Sequence, residues 1–429
     1  MVHTQRSESP GRVAPGTSPG SGRARAPQRW ARAGGWATRV AVMGALVAAS
    51  GACGPRRVYV PGQPERVELT RDDLVLAYSH KANRQAGDFM EQVLVRGTLE
   101  GGGTVYGRLR ISNVGPRADG DADLRVRVTT PEGDKYAVTV KRKRGRWTWA
   151  PDRLGATLGE STIEASPRGL MLHLTDGVTT IDVDIANEVQ PLRPAGGTAR
   201  FGGAGYYQTT VLAPRGELKV TVERPAPVEA SATPEAEPTE PVAPERESTS
   251  WSGFAYAEHR VSTVLPHEAA QTWVNAYRVD EERTFILSVF QTPPARGGEV
   301  HGWLFYADED GALVYRPTLT VETAEATVHR RSGYAVPAVV KFHGAGGLVG
   351  ALQATRSLGA KDELAGMSAM ERFIVSKMTK PWSFPHEARY LLVVPEVDEL
   401  GNPLPGEDGE PGPAARYTGD TRYVFMRLN

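Results

Sequence analysis

The sequence predicts an all-β protein built from short antiparallel strands, as a sandwich or barrel. Three observations predict it. Short runs alternate apolar and polar residues, most cleanly 136–140 (YAVTV) and 179–185 (TTIDVDI), the period of a strand with one buried face. Turn chemistry separates such runs, at Gly101-Gly102-Gly103, Pro131-Glu132-Gly133-Asp134, Asp176-Gly177 and Asp308-Glu309-Asp310-Gly311. One helix is expected near the C-terminus, where Leu364, Met367, Met370, Phe373, Ile374 and Met378 recur at helical spacing.

The chain begins with an address. Residues 1–39 are rich in Arg, Gly, Ser and Pro and read as a disordered n-region. An apolar run follows at 40–52, too short to span a bilayer but the length of a signal-peptide core. It ends Ser50-Gly51-Ala52-Cys53, which resembles a bacterial lipobox. That resemblance implies acylation of Cys53, a membrane anchor through its acyl chains, and a place in the bacterial cell envelope. Gly54 after the cysteine implies the outer membrane. The alternative is an ordinary signal peptide cut near Ala52. Cys53 is the only cysteine, which excludes an intrachain disulfide and a thiolate-rich metal site.

Residues 54–68 read as a tether and 69–224 as a first module. In 179–185, Ile181, Val183 and Ile185 are expected to face a core and Asp182 and Asp184 water. Arg146-Trp147-Thr148-Trp149 alternates likewise, and the basic run 141–144 is expected at a solvated sheet edge. Residues 225–250 hold six prolines and six glutamates without an aromatic. They read as a semi-rigid spacer between two modules. The second module, 251–429, shows strands at 283–290, 302–315, 388–394 and 422–428. In the helix, Ser368 and Glu371 fit a capping box and Pro381 a stop. Its Met-rich face is expected in the core, or flanking a barrel mouth where soft side chains would suit a greasy ligand.

Outside residues 1–52 the chain carries 43 basic and 49 acidic residues. That argues against a nucleic-acid surface.

Four stretches resemble the fungal survival-factor family of double-lipocalin proteins. They are 254–277, with Pro266, His267, Ala269, Ala270 and Trp273; Phe290-Gln291-Thr292-Pro293; 361–382; and Gly205-Tyr206-Tyr207 followed by Arg215-Gly216-Glu217-Leu218. More distantly the chain resembles AttH-like proteins and carotenoid 1,2-hydratases, through Gly253 to Arg260, with Glu258 where those relatives carry Asp. The resemblance implies two lipocalin-like antiparallel β-barrels and the handling of a hydrophobic small molecule or lipid, without a cofactor.

Phe254, Tyr256, His259, His267, Trp273 and Trp303 are the expected ligand-lining residues. Glu258 is the candidate catalytic acid of a hydratase or isomerase: buried among aromatics, a carboxyl can be held protonated. Against this stands a structural role, with Glu258 paired to an arginine such as Arg260 or Arg278 and holding the barrels in register. Glu258 and His259 are adjacent on a strand, so only one can face a given interior. No metal-ligand spacing appears. The Gly-rich stretch 341–347 lacks the ending of a phosphate loop and reads as a turn, and no serine stands in a nucleophile-elbow context.

Overall fold

A computed structural model describes residues 69–114, 119–226, 246–365, 367, 369–406 and 412–428. The expected leader with Cys53, the tether and most of the spacer lie outside them.

The described strands form two sheets, each wholly antiparallel between neighbours. The first contains β1 (Met90–Leu99), β2 (Thr104–Ser112), β3 (Asp121–Thr129), β4 (Lys135–Arg142), β5 (Thr148–Trp149), β6 (Leu154–Leu158), β7 (Ser161–Ser166), β8 (Gly169–Thr175), β9 (Thr180–Asn187), β10 (Thr198–Arg200), β11 (Tyr206–Pro225) and β12 (Arg246–Ser262). Its order is β4-β3-β2-β1-β12-β11-β9-β8-β7-β6-β5, with β10 on β11. The second contains β13 (Thr272–Val279), β14 (Arg283–Gln291), β15 (Val300–Asp308), β16 (Leu313–Val328), β17 (Ala335–Gly344), β18 (Val349–Ser357), β19 (Lys361–Asp362), β20 (Trp382–Pro395) and β21 (Ala414–Arg427). Its order is β18-β17-β16-β15-β14-β13-β21-β20-β19. Because β18 also pairs β20, from Val349↔Val393 to Ser357↔His386, hydrogen bonding runs around a ring of eight strands. Closure removes the exposed edges that an open sheet carries.

The alternation read from the sequence is the alternation observed. Ile181, Val183 and Ile185 on β9 are buried, Asp184 is exposed and Asp182 half-exposed. The basic run 141–144 sits at the end of β4, the edge strand of the first sheet. The tight connections take their residues for a physical reason: Gly133, Gly177 and Gly311 all adopt positive φ, where a Cβ is strained. The stretch 146–149 forms only a two-residue strand, because Trp147 turns in to bury its ring and donate Nε1–H to the Gly120 carbonyl at 2.9 Å.

Sheet membership differs from the expected division at 251. β11 and β12 are neighbours in the first sheet, paired as far as Pro225↔Arg246, so the Pro/Glu segment joins two strands of one sheet. The chain passes to the second sheet after Ser262, through α2 (Pro266–Ala269). Arg246 to Ser250 are polar and exposed, yet extended. Backbone pairing with β11 makes them a strand, a cause that leaves no apolar period in the sequence.

Four apolar clusters organise the molecule. The first fills the interior of the first sheet, with Ala255, Ala257 and Val261 of β12 inside it. Tyr78, on a 3-10 turn before α1 (Lys81–Gln85), packs there against Trp147 and Trp149 at ring distances of 5.3 and 5.4 Å. The second fills the barrel of the second sheet, including Phe285, Phe342, Phe384, Tyr390 and Tyr423. The third lies between the sheets, where Tyr256 and Val211 meet Trp303, Phe305 and Tyr315. A smaller fourth gathers Tyr207, Ala270, Phe290 and Leu428, with Trp273 packed against it.

Candidate functional site

β12 runs along the junction of the two sheets, and its parity decides what its side chains can do. Odd positions face the first interior, and even positions from Phe254 onward face the second sheet. Glu258 and His259 therefore part company.

Glu258 is 1% exposed, between the sheets. Its Oε1 lies 2.5 Å from the Arg260 guanidinium and its Oε2 accepts Tyr256 Oη–H at 2.9 Å. Arg260 continues to Asn275 Oδ1 on β13 at 3.3 Å and lies over the Trp273 ring at 5.0 Å. Asn275 Oδ1 also accepts from Ser288 Oγ at 3.0 Å. Burial, the largest single influence, lowers the Arg260 guanidinium, but the Glu258 charge and hydrogen bond together with Tyr207 and Tyr256 outweigh it, and the net shift is upward. Burial first, and then the same charge, pushes the Tyr256 phenol well above its usual 10, so Tyr256 remains a donor. Both Glu258 oxygens are thus engaged, one by Arg260 and one by Tyr256, and Arg260 carries the contact on to β13 of the second sheet.

His259 points the other way. Its Nε2 donates to Glu91 Oε1 at 2.6 Å, with both residues buried. Glu91 also accepts the backbone N–H groups of Ala77 and Tyr78, at 2.6 and 2.9 Å. The pair pins the first described turns over the first interior. Phe254, Tyr256 and Trp303 pack between the sheets, and Trp273 lies with Tyr207 and Phe290 at 5.2 and 5.4 Å. His267 is half-buried on α2. The expected ligand-lining residues thus come together mainly as packing between sheets, because the outward face of β15 meets the outward face of β12. Among the described residues, no three His, Cys, Asp or Glu side chains converge as a metal site.

A cleft of 610 Å³ between the sheets is lined by Arg96, Arg278, Arg389 and Arg422 with Glu387 and Asp420. Its charged lining gives an apolar ligand little to gain. A recess of 490 Å³ opens at the end of the second barrel where β16 turns into β17, lined by Val328, Val336, Ala354, Phe384, His329 and His386 among others. Its size and apolar walls are those of small-molecule sites.

His386 is the distinctive group there. Phe384, Ala388, Tyr390 and Leu392 on β20 all belong to the barrel core, which puts His386 on the inward register. The residue is 7% exposed, its ring stacks on Tyr423 at 4.9 Å, and its Nε2 has no hydrogen-bond partner in the protein. Burial lowers its pKa, so the ring is neutral at pH 7, one nitrogen donating and the other accepting. Across the recess, His329 Nδ1 pairs with Ser332 Oγ at 2.9 Å and its ring meets Phe384 at 5.3 Å. Sequence reasoning passed over His386. The available signal was a histidine at an alternate position of an otherwise apolar strand face.

No family model and no curated protein matches the chain. Among solved structures it is similar to kievitone hydratase from Nectria haematococca, with 10% identity, 88% of this chain and 98% of that one covered, and a TM-score of 0.41. It is also similar to a putative AttH from Nitrosomonas europaea, with 12% identity, 86% and 99% coverage and a TM-score of 0.43. A third is CghA, solved with Sch210972, with 10% identity, 80% and 89% coverage and a TM-score of 0.46.

Proposed function

We propose that this protein is an envelope lipoprotein that holds one hydrophobic small molecule, of lipid-like character, in the end of its second barrel. The observation that carries the reading is His386, which lines the recess and whose buried Nε2, behind that wall, has no partner in the protein. An unmatched buried polar atom carries a desolvation cost of about 1–3 kcal/mol. A ligand with an apolar body and one hydroxyl or carbonyl would lay its body against Phe384, Val336 and Ala354 and, with the His386 ring turned toward the recess, supply the missing hydrogen bond. The stacked pair Phe285–Tyr390, at 4.2 Å and 8°, stands about 13 Å further along β20 and limits how deep the ligand reaches. The lipobox-like ending at Cys53 supports the envelope placement, with the acyl anchor holding the protein at the membrane. Glu258 takes no chemical part in this reading.

The test is displacement of bound N-phenylnaphthylamine by decanol and by decane. The wild type prefers the alcohol. His386→Leu loses that preference, about fivefold, the worth of one hydrogen bond. A leucine variant that keeps the preference contradicts the assignment.

A further inference from the structure

The helix expected to pack its Met-rich face on a core does the reverse. In α3 (Ala369–Met378), Met370 is 76% and Phe373 64% exposed, and Met378 is exposed as well. Met367 before it, and Val328 and Leu358 at the barrel end, are also exposed. These six make up half of the twelve exposed large apolar side chains among the described residues, and all lie in or beside the segments that frame the recess. Val328 lines the recess itself, and β19 and β20 flank the helix in sequence. Scattered exposed apolar residues are ordinary, but a concentration in one region marks an interaction surface. Arg372 of α3 lines a neighbouring recess with Arg331 and Ala360, and Ala360 lines the barrel-end recess too.

Charge indicates what covers it. Lys361 and Arg372 pair with Glu363 and Asp362. In the same segments Arg330, Arg331, Lys377 and Lys380 outnumber the one remaining acid, Glu371. Lys377 Nζ lies 5.0 Å over the Phe373 ring and Arg331 5.8 Å over Trp382. Exposed Met and Phe side chains ringed by basic ones are the composition of a helix that lies in a membrane interface, with its apolar groups below the headgroups and its cations among them.

We propose that α3 and the adjoining rim dock on the surface of a lipid bilayer carrying anionic headgroups, with the mouth of the second barrel turned toward it. The docking stands on the exposed helix and its charges alone. Only its purpose, passage of a lipid-like ligand between bilayer and recess, rests on the carrier reading.

The chain has a single cysteine, so Cys53→Ser removes both the acyl acceptor and the only competing thiol. In that full-length background, Met370→Cys carries an environment-sensitive nitrobenzoxadiazole dye. Met171→Cys, at an exposed position on β8 of the first sheet, carries the same dye as a control. Vesicles of phosphatidylcholine with phosphatidylglycerol should raise and blue-shift the emission at position 370 and leave position 171 unchanged. Lys377→Gln and Lys380→Gln should each weaken the response about fivefold. An equal response at both positions, or none, overturns the proposal. So does a response at 370 that follows protein concentration without vesicles, which would assign the patch to a second copy of this chain. Decanol displacement on the same labelled protein reads the recess separately, so loss of docking and loss of ligand binding are told apart.

Discussion

Two buried residues, one conspicuous in the sequence and one not, have opposite surroundings. Glu258 is matched on every side, and His386 is not. Glu258→Gln leaves the buried Arg260 charge without its counter-ion and should cost about 3 kcal/mol in stability. Ligand affinity should stay unchanged, since the pair lies outside the recess. Chemical denaturation beside ligand titration checks both halves, and a large drop in affinity without loss of stability would restore Glu258 as a reacting group. His386→Leu should raise the stability of the empty protein, because it removes an unsatisfied polar atom. The pH dependence follows from the direction of the shift. The folded pKa of His386 lies below the usual 6.5, so between the two values the unfolded chain holds a proton that the folded one does not. Stability is therefore full above pH 6.5 and falls as the pH drops below it. Burial lowers His301 too, with the same sign. Melting temperatures measured from pH 7 to pH 5 should fall, and the leucine variant should fall less.

The elements show what the sequence could carry. Strands whose alternation comes from a buried face, such as β9 and β20, were legible because burial writes itself into residue type. The polar end of β12 was not, since its strand conformation comes from pairing with β11. The helix was placed correctly by its spacing, yet spacing cannot say whether a stripe meets a core or faces outward. The aromatic and acidic side chains around Glu258 were found by type, but their purpose turned on which sheet β12 joins. The Pro/Glu segment gives a direct check. Because Pro225 and Arg246 are paired neighbours, replacing residues 226–245 by Asn-Gly, a two-residue hairpin turn, should preserve the fold and shift the melting temperature by only a few degrees. Circular dichroism through a melt reads the outcome. Loss of the fold would mean that the segment has a structural duty beyond connection.

At the scale of the molecule, the two sheets are held by more than the apolar layer between them. Arg215 on β11 pairs with Glu188 at 2.7 Å, donates to the backbone carbonyls of Asp280 and Glu281 at 2.9 and 2.8 Å, and lies 4.3 Å over Phe254. Tyr315 Oη accepts the Ala195 N–H at 2.6 Å, and a Cβ on Gly196 would stand 1.9 Å from the Gly302 carbonyl oxygen. The sheets should therefore unfold in one calorimetric transition, and Arg215→Ala should cost about 2 kcal/mol or more through its lost charged hydrogen bonds. Two separated transitions in the wild type would show that the junction is weaker than these contacts require. The central claim concerns the recess at the end of the second barrel, whose 490 Å³ is of a size to hold one small ligand. Native mass spectrometry with solvent extraction, on the full chain carrying Cys53→Ser and exposed to an envelope lipid extract, tests it most directly. The account predicts one hydrophobic adduct per chain, absent when Ala354→Phe fills the recess. A bare wild-type mass, or an adduct that survives Ala354→Phe, would contradict it.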